Sequence, residues 1–401
     1  MELMLLLACS VLHAAAPGAG GTGVTAADYH RRAFHVASPE KRIQLLTKAL
    51  ALNPDHVPSL RHRSALYAML GKKKLSFADA ARAAELAPED PEVNSIAGSK
   101  AEDLKLYKQA ARFFRQALAC DQGRVPARAR LIDVLIKLRQ VKAALEHANV
   151  LVERRPDMDY PYALRADAYE WNDRFADAVR DLTVLIRRHP DDPKYTQNYL
   201  RRCINYRFLG EGAKALADAE KALRLKGKTS FGLAARGCSY EVLGQLDKAL
   251  DDYQKATELK GDHRYFMIWS CIVLRKLGRR AEADKLIRGF LKKLKDDKWI
   301  APVIKYLAGQ MTEQEVFKLA LDKDPETTRE QLCEAYYYVG ACYMADKNYA
   351  RAEALFKKCL AQRVNNFYEH GFAIRDLRTI KKLREKRKDP GGSAAVPKDA
   401  E

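Results

Sequence analysis

Apolar residues along this chain recur every three to four positions in runs of twelve to fifteen, the period of an amphipathic helix, and no run alternates as a strand would. The runs come in pairs, and small residues mark them at a fixed step of 34. One column, at position 20 of the 34-residue frame, starts from Arg42 and holds Ser76, Ala110, Ala144 and Ala178. A second, at position 27, holds Ala49, Ala83, Ala117, Leu151 and Leu185. A third, at position 32, holds Pro54, Pro88, Gln122, Pro156 and Pro190. The phase slips by three at Asp191-Asp192-Pro193-Lys194-Tyr195 and resumes at Ala215, Ala249 and Ala283. A further copy stands at Tyr336–Tyr343 and Asn348–Phe356. Between them, Trp299–Ala308 and Thr312–Leu321 read as two short helices broken at Gly309, with Thr312 and Glu315 forming a capping box.

Small residues at positions 8 and 20 let two helices of a hairpin approach closely, and position 27 packs on the next hairpin. One hairpin cannot bury its apolar face, so neighbours must stack. The expected fold is all-α: a right-handed solenoid of about nine to ten helical hairpins closed by a C-terminal capping helix. The organisation expected is a leader and tether (1–23), the repeat array (24–297), an irregular hairpin with the last repeat and cap (298–388) and a tail (389–401). The cap rests on Ile374, Leu377, Ile380 and Leu383 at helical spacing beside a basic stripe of Arg375, Arg378, Lys381, Lys382, Arg384, Lys386, Arg387 and Lys388.

The composition is that of an ordinary water-soluble chain, with 47% hydrophobic and 31% charged residues. The excess of 71 Lys+Arg over 52 Asp+Glu gives a formal charge of +19, which favours anionic partners without naming one. The first residues change the picture more. Leu3 to Ala16 is apolar apart from Ser10 and His13, a length suited to an export signal and short for a membrane span. Leu6-Leu7-Ala8-Cys9 resembles a bacterial lipobox, making Cys9 a lipidation candidate, while Ala14 to Ala16 offer an ordinary cleavage region. Glu2 and the lack of Lys or Arg before the run argue against both. Pro17 to Gly23 reads as a tether.

The 34-residue frame, seen most fully in Leu243-Gly244-Gln245 through Ala256, resembles the tetratricopeptide repeat, whose arrays hold partner proteins or peptides. The stretch from Trp299 to Glu369, with Trp299–Gly309, Thr312–Glu315, Gln331–Gly340 and Asn366-Phe367-Tyr368-Glu369, resembles the end of bacterial new-lipoprotein-I-like proteins. That resemblance implies an exported, lipid-anchored adaptor, with envelope proteases and peptidoglycan hydrolases as the partner class. This chain departs from it in its larger repeat number, weaker signal and more basic charge.

No catalytic residue is expected. The nine histidines form no His-Glu-x-x-His pattern, and no phosphate-binding Gly-rich loop or Gly-x-Ser-x-Gly is present. His30 and His35 are not at helical ligand spacing, so no metal and no cofactor are expected. Cys333 and Cys359 sit at the ends of antiparallel helices in the last repeat, within reach of a disulfide.

In such arrays the first helix of each hairpin lines the inner groove. The groove positions here hold Tyr160, Leu164, Asp167 and Trp171, then Gln197, Arg201 and Arg207, then Phe231 and Glu241, then Tyr265, Trp269 and Arg275, then Glu334, Tyr337 and Tyr338. Arg201 is expected to stand in solvent. Aromatic rings among guanidinium groups suit an extended peptide. The Lys/Asn clamp of some related arrays is missing, since its positions hold Ala163/Asp167, Leu200/Ile204 and Ala234/Cys238. Two functional readings follow. One is a non-enzymatic scaffold of the cell envelope that touches membrane only through a lipid on Cys9. The other is a cytoplasmic adaptor or RNA-associated repeat protein using its basic surface, although no base-reading pattern is visible.

Overall fold

The computed structural model describes residues 24–259, 263–292, 299–365 and 367–388. Cys9, the leader and tether (1–23) and the tail (389–401) lie outside the described residues. The fold is all-α, with 21 α-helices and no strand among the described residues. The chain divides between Ala127 and Arg128 into two compact units.

In the first unit α1 (Ala26–Phe34) pairs with α2 (Pro39–Leu52), α3 (Val57–Met69) with α4 (Lys73–Leu86), and α5 (Pro91–Asp103) with α6 (Tyr107–Cys120). The helix α7 (Val125–Lys137) carries the boundary and is followed by α8 (Val141–Arg154). The second unit continues with α9 (Asp159–Glu170) on α10 (Phe175–Arg188), α11 (Thr196–Leu209) on α12 (Gly212–Lys226), and α13 (Ser230–Val242) on α14 (Leu246–Glu258). Then come α15 (His263–Lys276) with α16 (Arg280–Leu291), the short pair α17 (Ala301–Leu307) and α18 (Glu313–Leu319), and α19 (Pro325–Ala345) with α20 (Tyr349–Ala361). The last helix is α21 (Tyr368–Lys388). Among the described residues, nine pairs of consecutive helices before it pack as hairpins. The three extra residues at the phase slip make a short 3-10 turn, Pro193–Tyr195.

Local chemistry starts and stops these helices. Thr25 with Asp28 and Thr312 with Glu315 close capping boxes, and Ser38, Asp90 and Asp324 cap helices that open on proline. Position 15 of the frame, inside each hairpin turn, takes a left-handed backbone. Gly71, Gly210, Gly244 and Gly278 supply it without strain, whereas Lys105, Arg139, Asp173 and Lys347 hold φ of 59°, 58°, 54° and 61° at the same position.

Within a hairpin the helices meet through the small columns. Ala110, Ala144, Ala178, Ala215 and Ala249 are fully buried. At position 8, a Cβ on Gly98, Gly237 or Gly340 would stand 2.7, 2.8 and 2.8 Å from Phe114, Tyr253 and Phe356 respectively, each sixteen residues on. A second tie, which the columns of small residues do not reveal, joins positions 7 and 23. Arg63–Asp79, Arg165–Asp181, Arg202–Asp218 and Arg236–Asp252 are each two-pronged, with contacts of 2.7–2.8 Å and a largely buried carboxylate.

The last helix departs from the expected cap. It packs on α19 and α20, as a cap would, but also runs back across the unit to α11. Arg378 donates to the Phe208 carbonyl at 2.7 Å, and Gly371 lies so close to Phe208 that a Cβ there would meet the ring at 2.2 Å. Arg375, expected on the solvated basic stripe, is instead buried, bonded to Asp376 at 2.6 Å and facing Glu241 at 3.8 Å. The segment before α21 is tied to the start of the unit. Asn365 and His370 reach Asp173 at 3.1 and 3.2 Å, while Arg139 bonds the Arg363 carbonyl and pairs with Glu326 at 2.5 Å.

Candidate functional site

The first helices of successive hairpins line one face of the second unit, and α21 lies along part of it. Where α21 begins, two adjoining cavities remain. One, of about 230 Å³, is lined by Gln197, Leu200, Ile204 and Arg207 of α11, by Phe231, Ala234 and Ala235 of α13, by Phe266 and Trp269 of α15, and by Tyr368. The other, of about 400 Å³, shares Phe231, Phe266, Trp269 and Tyr368 and adds Ser230, Tyr265, Glu334, Phe367 and Glu369. Phe231 is 66% exposed and stands at the mouth.

Of the groove residues expected from sequence, Gln197, Arg207, Phe231, Tyr265, Trp269 and Glu334 are brought together here. Tyr337 and Tyr338 are not groove-facing: α21 covers them and both are buried. The Tyr337 ring lies 5.6 Å from Phe372 with its hydroxyl donating to Asp376, while the Tyr338 hydroxyl donates to Glu369 at 2.5 Å and accepts from Trp269 Nε1 at 3.2 Å. Arg201 is not solvent-facing either. Its guanidinium pairs with both Asp167 and Glu170 of the preceding hairpin, so Asp167 and Arg201 form a brace between repeats. Tyr160 and Trp171 lie on that preceding hairpin, half-buried and away from the cavities. Arg275 donates to the Leu307 carbonyl at 3.1 Å.

Glu241 belongs to a separate buried cluster. It accepts from Tyr253 at 3.0 Å and from Lys276 at 2.5 Å, with Arg375 beyond. Burial alone would raise its carboxyl, but the Lys276 and Arg375 charges outweigh burial and hold it down at about 2. Cys333 and Cys359 are thiols in this structure, with sulfurs 3.4 Å apart and no bond between them. Burial pushes the Cys359 thiol up, which keeps it from ionising.

The cavity residues missed from sequence are Ser230, Ala235 and Phe266 and those of α21 and its approach, Phe367, Tyr368 and Glu369. Tyr368 and Phe372, four apart on α21, were the available signal for an aromatic face directed back at the array. The polar groups of the site are unevenly matched. The Arg207 guanidinium is 2% exposed and stacks near Tyr368 and Phe372, at 5.9 and 5.4 Å, yet its Nε and Nη2 have no hydrogen-bond partner. Glu334 accepts from Tyr265 at 2.8 Å and from Trp299 at 2.5 Å, and Glu369 from Tyr338; among the described residues no basic side chain pairs with either carboxylate. Burial, and then the neighbouring Glu369, push the Glu334 carboxyl up to about 8. Burial raises Glu369 as well.

Residues 103–167 and 233–263 each match a family model described as tetratricopeptide repeat. The chain carries tetratricopeptide repeats. Among solved structures, three tetratricopeptide proteins are similar to this chain. One from Parabacteroides merdae aligns over 61% of this chain and 96% of its own at 16% identity and TM-score 0.45. YrrB, described as having an unusual peptide-binding site, aligns over 48% and 97% at 20% identity and TM-score 0.42. A thermophilic tetratricopeptide protein of Thermus thermophilus aligns over 46% and 98% at 27% identity and TM-score 0.36. Tetratricopeptide arrays bind proteins or peptides and are typically non-catalytic scaffolds. Among the described residues of this array, no helix is long and apolar enough to cross a membrane.

Proposed function

We propose that this protein is a non-enzymatic adaptor that holds an extended segment of a partner protein against the inner face of its second unit, at the aromatic-lined cavities beside α21. The observation that carries the reading is the cavity pair itself. Four aromatic walls converge there, and the mouth residue Phe231 is two-thirds exposed although Ser230, Gly232 and Phe266 beside it are buried. A peptide-binding site in YrrB, a protein of the same repeat type, agrees with it.

The test is a photo-crosslinking residue in place of Phe231, compared with one in place of Lys255, which is 54% exposed on the second helix of its hairpin. Crosslinks to a partner from position 231 and not from 255 are expected. Equal capture from both, or capture from 255 alone, would move the binding surface elsewhere.

We further place the protein in the bacterial envelope. Support comes from the apolar run Leu3–Ala16, from Cys9 in its lipobox-like setting, and from the likeness of residues 299–369 to the end of new-lipoprotein-I-like proteins. On that likeness the partner class is an envelope protease or a peptidoglycan hydrolase. Cell fractionation with palmitate labelling tests the placement, and an unlabelled protein found wholly in the cytoplasm refutes it.

A further inference from the structure

The two cavities hold buried ionisable side chains, acidic in one and basic in the other, that have no oppositely charged partner among the described residues. In the larger, Glu334 and Glu369 are 7% and 4% exposed, and their hydrogen-bonding side chains among the described residues are neutral: Tyr265, Trp299 and Tyr338. In the smaller, Arg207 has no hydrogen bond at all through Nε or Nη2. Elsewhere the fold matches its buried charges carefully, as in Arg202 with Asp218 and Arg236 with Asp252. A buried ionisable group without a charged partner is costly to ionise, and such groups left in two cavities that share aromatic walls mark where a ligand brings the missing partners.

We infer that the segment bound here carries a lysine whose ammonium sits at the Glu334–Glu369 pair, with its stem along Trp269 and Tyr368, and a nearby acidic side chain that meets Arg207. A primary ammonium fits better than a quaternary one, because a carboxylate oxygen retains lone pairs beyond the one each tyrosine or tryptophan engages, and only N–H donors use them. The ring faces add attraction for the cation. The site therefore selects a cation within a chain of charge +19, so the segment's remaining residues should be neutral or acidic. This rests on the inner-face reading above and adds the chemistry of what is bound.

The probe is the blocked tripeptide acetyl-Glu-Ala-Lys-amide, titrated calorimetrically into the full chain. The comparisons are the same peptide with norleucine for lysine, and with glutamine for glutamate. Loss of the ammonium should weaken binding by about 10-fold or more, and loss of the carboxylate by several-fold. Glu334→Gln should erase the preference for lysine over norleucine, and Arg207→Met the preference for glutamate over glutamine, with neither variant melting below the parent. Bringing an ammonium to Glu334 displaces its proton, since Tyr265, Trp299, Glu330 and Glu369 around it supply no positive charge. At pH 7 the binding heat should accordingly differ between phosphate and Tris buffers. Equal binding of all three peptides would overturn the charge selection while leaving a peptide site in place. No binding by any of them would overturn this inference too, and the crosslinking at position 231 then decides separately whether the face binds partners.

Discussion

Replacing Gly371 by alanine tests whether α21 is seated on α11. In a helix that touched nothing, glycine to alanine would raise stability by up to about 1 kcal/mol through backbone entropy. Here the new Cβ would stand 2.2, 2.4 and 2.4 Å from three carbons of the Phe208 ring. Carbon atoms rest at about 3.5–4.0 Å, so something must retreat by about 1.5 Å. The ring cannot turn aside easily, because Phe175 and Phe372 hold it at 5.0 and 5.9 Å. Overpacking of this kind costs about 1–3 kcal/mol, more than the helical gain, so the net effect is destabilising. At about 2–4 °C per kcal/mol for a unit of this size, the calorimetric midpoint should fall by several degrees, and amide exchange along residues 372–388 should quicken. Phe208→Ala in the same chain should relieve most of the added cost, a coupling of at least about 1 kcal/mol. A midpoint that rises with Gly371→Ala, with exchange unaltered, would show that α21 is not held against α11.

Three further outcomes follow from the same structure. Asp252→Ala, which strands Arg236, should cost about 1–3 kcal/mol in urea denaturation, discounted because Arg236 is 29% exposed, whereas Asp251→Ala next door, in a pair with both sides more than half exposed, should change stability by no more than about 0.5 kcal/mol. Lys347→Gly should raise stability by about 0.5 kcal/mol, since glycine takes the φ of 61° without strain and loses part of that gain to its freer unfolded chain. Glu241 is held at about 2 against an ordinary 4.5, so its stabilisation, about 3 kcal/mol, is complete above pH 4.5 and is lost as pH falls towards 2; Glu241→Gln should flatten that acid limb in denaturation series between pH 6 and pH 2.5, and an unchanged limb would refute the assignment.

The hairpin stack was legible because its cause is periodic. Ala110, Ala144 and Ala178 recur where two helices must touch, and nothing distant alters that need. The Arg–Asp ties were equally periodic, at Arg165, Arg202 and Arg236 with acids sixteen on, but charged residues on helices read as solvated until a structure shows the carboxylates buried. Arg201 was misread for the same reason, since its partners Asp167 and Glu170 lie a full repeat earlier. The site was half legible. Phe231, Tyr265 and Trp269 fall at groove positions, whereas Tyr368 and Glu369 arrive on a helix whose basic stripe suggested only an outer cap. A contact between α21 and α11 occurs once, over more than 150 residues of sequence, and leaves no recurring mark.

The ties from Arg139 to Glu326 and from Asp173 to Asn365 and His370 also bear on how such a chain can change over generations. An open stack of hairpins gains or loses a unit at little cost, because each touches only its neighbours. Here the two ends of a run of hairpins are fastened together, and both fastening residues, Arg139 and Asp173, sit in strained left-handed turns where glycine would otherwise be preferred. One hairpin more or fewer between them would pull the fastening apart and carry α21 away from the cavities it helps to wall. Among descendants of this chain, repeat number should therefore vary before Arg139 and stay fixed after it.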